Sequence, residues 1–288
     1  MSSYIRLHKD HFNFRQFVLN ALKEDIGDGD HTTLSTIPAK HSGQMHLLVK
    51  EDGVIAGIEA AKEILKIVDT SIKVKVFLKD GQLVKKGDVA FILKGNTRKL
   101  VTAERLMLNV MQRMSGIATK TAYLQELCKG TKTKVIDTRK TTPGFRFFEK
   151  WAVVIGGGAN HRYGLFDMIL IKDNHIDFAG GINEAILAAK TYLQKKRKKL
   201  PIEVETRTLI DVEEVLKHQG IQRIMLDNFS PENTLKAVKL INGKCEVESS
   251  GGITEQNIEA YAKCGVDFIS VGALTHHVKS LDLSLKAI

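Results

Sequence analysis

Two acidic residues end apolar runs: Glu205 closes PIEVE and Asp227 closes RIMLD. Carboxylates placed this way suit magnesium, sugar hydroxyls or a positive charge developing on carbon. Cations follow other runs: Arg139, Lys140 and Arg146 in DTRKTTPGFR, next to Thr138; His161 and Arg162 in GANHRYG; and Lys172 in ILIKDNH. An arginine fork grips a carboxylate at two points and a lysine acts as a point charge, so several converging cations fit a ligand with more than one carboxylate. The last two runs end in glycine turns, SSGGIT with Ser250, Gly251 and Gly252, and VGALT with Gly272 and Ala273. Glycine lets backbone amides approach an anion closely, which makes both turns candidate phosphate loops. Together these groups describe a transfer between a phosphorylated sugar and an acidic heterocycle.

Such side chains act together only if the fold gathers them. From residue 133 onward the runs KVID, DMILI, IEVE, RIML, CEVE and DFISV alternate with helical stretches, the grammar of parallel strands joined by crossover helices. In a barrel of such strands, the C-terminal ends converge on one mouth. Six strands are legible, and a seventh if GGGANHR supplies one, which favours an incomplete barrel. The alternative, an open doubly wound sheet, lacks its GxGxxG fingerprint, and the triple glycine of VVIGGGANHR does not supply it. The first hundred residues form an α+β module: helical FRQFVLNALKED, extended MHLLVKEDGVIAG, helical EAAKEILKIV, then short strands with turns at Asp80-Gly81 and Lys86-Gly87-Asp88. Thr102 is placed to cap a bridging helix, whose Leu106, Met107, Val110, Met111, Met114 and Ile117 recur on one core-facing side.

The totals restrict the classes further. A chain of 288 residues with 43% hydrophobic content can bury a sizeable core. It contains no run long enough to span a membrane, and its first residues lack an apolar leader, so a cytoplasmic protein is expected. Three scattered cysteines, Cys128, Cys245 and Cys264, suggest neither disulfides nor a zinc site. The net charge of +10 calls for a negative ligand. The run Lys195 to Lys199 reads as a solvated helix end, and no aromatic residues interleave basic ones as in an RNA-binding motif. A basic nucleic-acid-binding protein is the rival from a different class, and it leaves the patterned strand ends unexplained.

ERLMLNVMQRMSGIAT, DTRKTTPGFR, GGGANHRYGLFDMILIKDNHI, IEVE, IMLDN and SSGGIT resemble the quinolinate phosphoribosyltransferases, also called carboxylating nicotinate-nucleotide pyrophosphorylases, through nearly the whole chain. The resemblance implies an α/β fold with an N-terminal α/β sandwich domain over residues 1–114, joined by the tail 275–288, and an incomplete, seven-stranded α/β barrel over 115–274. It implies that Arg139, His161, Arg162 and Lys172 meet the two carboxylates of quinolinate, and that Arg105 reaches the site of a neighbouring subunit. The working unit is then at least a homodimer, with a hexamer left open. Lys140, Glu205, Asp227, Ser250, Gly251, Gly252 and Gly272 would serve phosphoribosyl pyrophosphate, with magnesium as cofactor at Glu205 and Asp227; either Ser249 or Ser250 could face the phosphate. The implied reaction, in NAD biosynthesis, yields nicotinate mononucleotide, pyrophosphate and carbon dioxide. The roles of Arg146 and Lys150 stay open, and the nearest rival is a paralogue using another acceptor.

Overall fold

The structure, a computed structural model, describes residues 3–288. It divides into two compact units. Unit 1 takes residues 1–122, 142–157 and 277–288, and unit 2 takes residues 123–141 and 158–276.

Unit 1 opens with helices α1 (Ser3–Leu7), α2 (Phe14–Ile26) and α3 (His31–Thr36). Asn13 and Asp30 start α2 and α3 by accepting the N–H groups of Gln16 and Thr33, which satisfies amides that the first helical turn leaves unpaired. There follow β1 (Ser42–Val49), β2 (Gly53–Val54), α4 (Ile58–Val68), β3 (Lys73–Val76), β4 (Leu83–Val84) and β5 (Val89–Asn96). β2 pairs with β4, and an antiparallel sheet runs β12-β1-β5-β3, where β12 is the last strand, Leu283–Ala287. Alternation along β1 turns Met45, Leu47 and Val49 inward, into one core with Phe91 and Leu93 of β5 and Leu283 and Leu285 of β12. Ile58, Ala61 and Leu65, spaced to share a face of α4, complete that core. Each large apolar side chain so buried contributes about 1.5–3 kcal/mol.

The long helix α5 (Thr97–Leu127) buries Leu106, Met107, Val110, Met111, Met114 and Ile117, the stripe legible in the sequence. Thr102 does not cap it. The helix already runs through Arg98, Lys99 and Leu100, all good helix formers, and the Thr102 hydroxyl donates to Asp30 Oδ2 at 3.0 Å. Helix α6 (Arg146–Ile155) also belongs to unit 1, and its fully buried Glu149 accepts from Arg113 Nη2 at 2.7 Å and from the Thr142 N–H at 3.1 Å.

Unit 2 alternates strand and helix: β6 (Lys134–Ile136), β7 (Ile169–Ile171), α7 (Asp173–Ala179), α8 (Ile182–Lys196), β8 (Ile202–Thr206), α9 (Leu209–Leu216), β9 (Arg223–Asp227), α10 (Pro231–Ile241), β10 (Glu246–Ser250), α11 (Ile258–Lys263), β11 (Phe268–Ser270) and α12 (Ala273–His276). All pairings in the sheet β6-β11-β10-β9-β8-β7 are parallel. From β7 to β11 each strand lies beside its successor, and β11 returns beside β6. A doubly wound sheet would reverse direction midway, so this order is that of a barrel. The GGGANHR segment adds a single parallel bridge, Ala159 to Ile136, in the place of a seventh strand. The barrel is therefore incomplete, as the strand count predicts. The basic run at Lys195 begins at the end of α8, which stops at Arg197 in the left-handed conformation, and its side chains are exposed. No helix among the described residues is long and apolar enough to cross a membrane.

Candidate active site

The strand ends of unit 2 surround a cavity of about 330 Å³. Thr138, Arg139 and Lys140 line it beyond β6, His161 and Arg162 beyond the Ala159 bridge, and Lys172 beyond β7. Ser250 and Ser270, at the ends of β10 and β11, complete the rim, with Leu170, Met225 and Glu248 deeper in the barrel. Both ends of the sheet thus contribute to one cavity, which requires the sheet to be rolled around it. Ser249, one residue out of phase with Ser250, is buried and is not part of the lining. Arg105 stands exposed on α5 in unit 1 and does not line the cavity either.

The cations are held by different means. Thr138 Oγ1 accepts the Lys140 N–H at 3.0 Å, and Thr275 Oγ1 donates to the Lys140 carbonyl at 2.7 Å, so the backbone under that lysine is fixed on both sides. A Cβ on Gly272 would stand 3.2 Å from Lys140 Cδ and 2.8 Å from His276 Nε2, which keeps that position small; Ala273 follows as the first residue of α12. Lys172 Nζ lies 2.6 Å from Glu205 Oε2, and the Lys172 N–H donates to His175 Nδ1 at 2.9 Å. Arg162 is half-buried and donates to the Met168 carbonyl at 3.3 Å. Burial, and next the nearby Arg139, make its charge harder to hold than usual. Two arginines that repel each other in a concave, partly dry site are stabilised by a ligand with negative charge.

Beside Lys172, Glu205 and Asp227 stand on the adjacent strands β8 and β9, next to the residues that line the cavity. Asp227 is pushed above the usual carboxylate range by burial and then by Glu205, while Lys172 and the Asn228 amide pull the other way. Two hard oxygen donors whose mutual repulsion is only partly offset fit magnesium, which takes few protein carboxylates and completes its shell from phosphates and water. After β9 the chain turns through Asn228 at φ 57, and the Asn228 N–H donates to the Ser250 carbonyl at 2.8 Å. Gly251 packs into this corner at φ +86, where a Cβ would sit 2.2 Å from Asn228 Oδ1. Gly252 continues the turn at φ +61, so both glycines adopt backbone conformations that L side chains resist.

Beneath the mouth lies a polar layer that the sequence reading did not single out. Asp137, fully buried after β6, accepts from the Asn160 amide and from the His161 N–H, and so fixes the turn that carries His161 and Arg162. His161 Nε2 lies 3.0 Å from Glu203 Oε2 and 3.4 Å from Glu248 Oε2, with both glutamates fully buried. Arg223 donates to Glu248 Oε2 at 2.9 Å and to Glu246, and its guanidinium stacks 3.9 Å over Phe268. Burial pushes the Glu248 carboxyl up to about 7, with Glu203 adding to the effect; burial likewise raises Glu203. For Arg223 burial works against the charge, and the three glutamates outweigh it.

A histidine with two acids could ligate a metal, but His161 Nδ1 accepts the Arg162 N–H at 2.7 Å. The ring proton therefore resides on Nε2, the nitrogen that lies in charge contact with the acids, and a protonated nitrogen has no lone pair for a metal. The signal for this layer was present in the sequence. The first glutamate of IEVE and the second of CEVE each share a face with the residue two places on, so Glu203 follows Glu205 inward and Glu248 follows Ser250.

Comparison with known proteins agrees with this architecture. Residues 30–115 match the model of the quinolinate phosphoribosyl transferase N-terminal domain and residues 117–286 that of the C-terminal domain. The chain is 47% identical over 290 residues to a chloroplastic nicotinate-nucleotide pyrophosphorylase [carboxylating] of Arabidopsis thaliana, covering 96% of this chain and 83% of that protein. A probable enzyme of the same name from Bacillus subtilis is 40% identical over 276 residues, 96% of this chain and 94% of its own. The solved nicotinate-nucleotide pyrophosphorylase of Francisella tularensis superposes with a TM-score of 0.88 at 41% identity over 96% of each chain. NadC of Streptococcus pyogenes does so at 0.90 and 36%, covering 100% of this chain and 99% of its own. With both domain models matched in order along one chain, and strand ends that carry anion-binding groups into one barrel mouth, the protein belongs to the quinolinate phosphoribosyltransferase family.

Proposed function

We propose that this chain joins the pyridine nitrogen of quinolinate to the anomeric carbon of phosphoribosyl pyrophosphate, giving nicotinate mononucleotide, pyrophosphate and carbon dioxide in NAD biosynthesis. The observation that carries the reading is the crowding of Arg139 and Arg162 beside Lys172 in one cavity. That charge matches an acceptor with two carboxylates, and a single carboxylate would leave part of it uncompensated.

In this reading the two arginines and Lys172 hold the acceptor so that its ring nitrogen faces the sugar. The turns at Gly251-Gly252 and Gly272 receive the 5′-phosphate, and Lys140 meets the pyrophosphate. Glu205 and Asp227 stabilise the positive charge that develops on the sugar carbon as its bond to pyrophosphate breaks. The same two carboxylates would hold magnesium, an ion that would neutralise charge on the departing pyrophosphate. Once the ring nitrogen carries the ribosyl group it is cationic, and its charge stabilises the electron pair left on the adjacent ring carbon when the carboxylate departs as carbon dioxide; that carbon then takes up one proton to give nicotinate mononucleotide. Water supplies that single proton, and the glycosyl transfer itself needs no general acid or base. The work of the chain is positioning and placement of charge.

A homodimer belongs to this proposal, with Arg105 of each subunit serving its neighbour's cavity; the exposure of Arg105 on α5 supports it. So does a cytoplasmic location, which cell fractionation tests, since the Arabidopsis relative is named as chloroplastic. The deciding assay supplies purified protein with magnesium, phosphoribosyl pyrophosphate and either quinolinate or nicotinate. Equal amounts of carbon dioxide and nicotinate mononucleotide from quinolinate, with little product from nicotinate, are expected. No turnover of quinolinate by folded protein overturns the reading in favour of a different acceptor.

A further inference from the structure

We propose that Glu203 and Glu248 are positioning residues of the acceptor pocket: they anchor the His161 ring, which in turn sets the backbone from which Arg162 reaches the ligand. This rests on the function proposed above and adds to it the residues that hold the acceptor's arginine in place.

The chain of contacts is continuous, with its acidic end wholly buried and its arginine end at the cavity. Glu203 and Glu248 are both wholly inaccessible and approach His161 Nε2 from β8 and β10, the strands on either side of β9, at 3.0 Å and 3.4 Å. On the other side of the ring, Nδ1 accepts the Arg162 N–H at 2.7 Å. The imidazole is held by a hydrogen bond at Nδ1 and by close charge contact with two buried acids at Nε2, so the ring favours one orientation and the amide of Arg162 is placed relative to the two acids. Arg162 is one residue further along and lines the cavity. Glu203 also attracts its guanidinium directly, since Glu203 is the leading attractive charge on Arg162 and opposes the repulsion from Arg139.

Burying two carboxylates side by side is costly, and a fold that needed only a packed barrel would fill these positions with apolar residues. Here the barrel instead supplies Arg223 as a counter-charge to Glu248, itself braced by Glu246 and Phe268. The arrangement is explained if what the acids hold must be aimed with sub-ångström accuracy, as an arginine fork gripping a carboxylate must be. Phosphoribosyl pyrophosphate, bound through the glycine turns and Lys140, does not depend on this chain of contacts.

The test compares Glu203→Leu, Glu203→Gln, Glu203→Asp and Glu248→Gln with the parent enzyme. It measures KM for each substrate and, by calorimetry, the binding of quinolinate alone. Glutamine keeps an oxygen facing His161 Nε2, whereas leucine removes it. Aspartate keeps the charge but withdraws the oxygen by one methylene, and it stands in for leucine should the leucine variant not fold. The expected result is a quinolinate KM and Kd raised about tenfold or more in Glu203→Leu or Glu203→Asp, with KM for phosphoribosyl pyrophosphate within about twofold and the two glutamine variants close to the parent. A merely structural role predicts lower thermal stability with both KM values moving together or neither moving, and that result overturns the proposal. Failure of the parent to turn over quinolinate would instead count against the function proposed above, a distinct outcome.

Discussion

Lys172 and Glu205, on neighbouring strand ends of the barrel, form an ion pair at 2.6 Å in which the acid is almost wholly buried and the lysine is 43% exposed. In the proposed reading Lys172 serves the acceptor and Glu205 the sugar, so the members of this pair should not be independent. Lys172→Met leaves the Glu205 carboxylate buried without its counter-charge, whereas the double variant with Glu205→Gln removes both charges. Discounted for the exposure of the lysine, a double-mutant cycle on thermal stability should give a coupling of about 1 kcal/mol. In kinetics, Lys172→Met should raise the quinolinate KM and Glu205→Gln should lower kcat. Strict additivity in both measurements would show that the two residues work separately.

Gly251 and Gly272 are constrained for different reasons, and alanine should report the difference. At Gly251 a Cβ meets Asn228 Oδ1 at 2.2 Å and the backbone Asn228 N at 2.9 Å, and φ is +86. Steric conflict and backbone strain coincide there, so Gly251→Ala should cost about 1–3 kcal/mol of stability. Its KM for phosphoribosyl pyrophosphate should also rise. At Gly272 the nearest atoms belong to the side chains of His276 and Lys140. Gly272→Ala should therefore displace Lys140 with little loss of melting temperature and lower kcat. Equal losses of stability in the two variants would contradict this division.

Much of this site can be read from sequence because parallel strands buried on both faces appear as unbroken apolar runs. The six runs that begin at KVID mark the six strands, and the charged residues just past them mark the mouth. The layer below was harder to see. Glu203 and Glu248 sit inside runs, where an alternating acid ordinarily marks a solvent face, and only the closing of the sheet decides that this face is the interior. The seventh strand shrinks to one bridge at Ala159 because three glycines precede it, and glycine gives an extended segment no side chains to pack. Thr102 has the chemistry of a helix cap, but Asp30, remote in sequence, claims its hydroxyl.

The Glu248 carboxyl, raised from the usual 4.5 to about 7 chiefly by burial and next by Glu203, ties stability to pH. A raised carboxyl means that the folded chain binds more protons than the unfolded one between those values. Its contribution is therefore most favourable at acid pH and is lost as pH rises through the window from 4.5 to about 7. The full effect is on the order of 3 kcal/mol. Melting temperature should accordingly decline as pH is raised from about 5 to 8, and Glu248→Gln, which cannot ionise, should show a shallower decline. Glu203 is raised as well, so the slope should shrink without vanishing. An identical pH profile for parent and variant would place the titration elsewhere.

Arg105 is exposed on α5 while Arg139, Arg162 and Lys172 line the cavity of unit 2. If Arg105 serves the cavity of a neighbouring subunit, an Arg105→Ala chain retains a sound cavity of its own but cannot complete its neighbour's. An Arg139→Ala chain has the reverse defect. Each variant alone should be nearly inactive, since loss of one arginine fork on a carboxylate costs about 1.5–3 kcal/mol before any misplacement of the ligand is counted. In a mixed dimer, one of the two sites combines an intact Arg139 with an intact Arg105 from the partner. Random exchange of equal amounts makes about half of the dimers mixed, so about a quarter of all sites should be restored. Recovery to about that fraction of parental activity, with exchange verified by native mass measurement, is the expected outcome. No recovery despite exchange would mean that Arg105 acts within its own subunit or not at all.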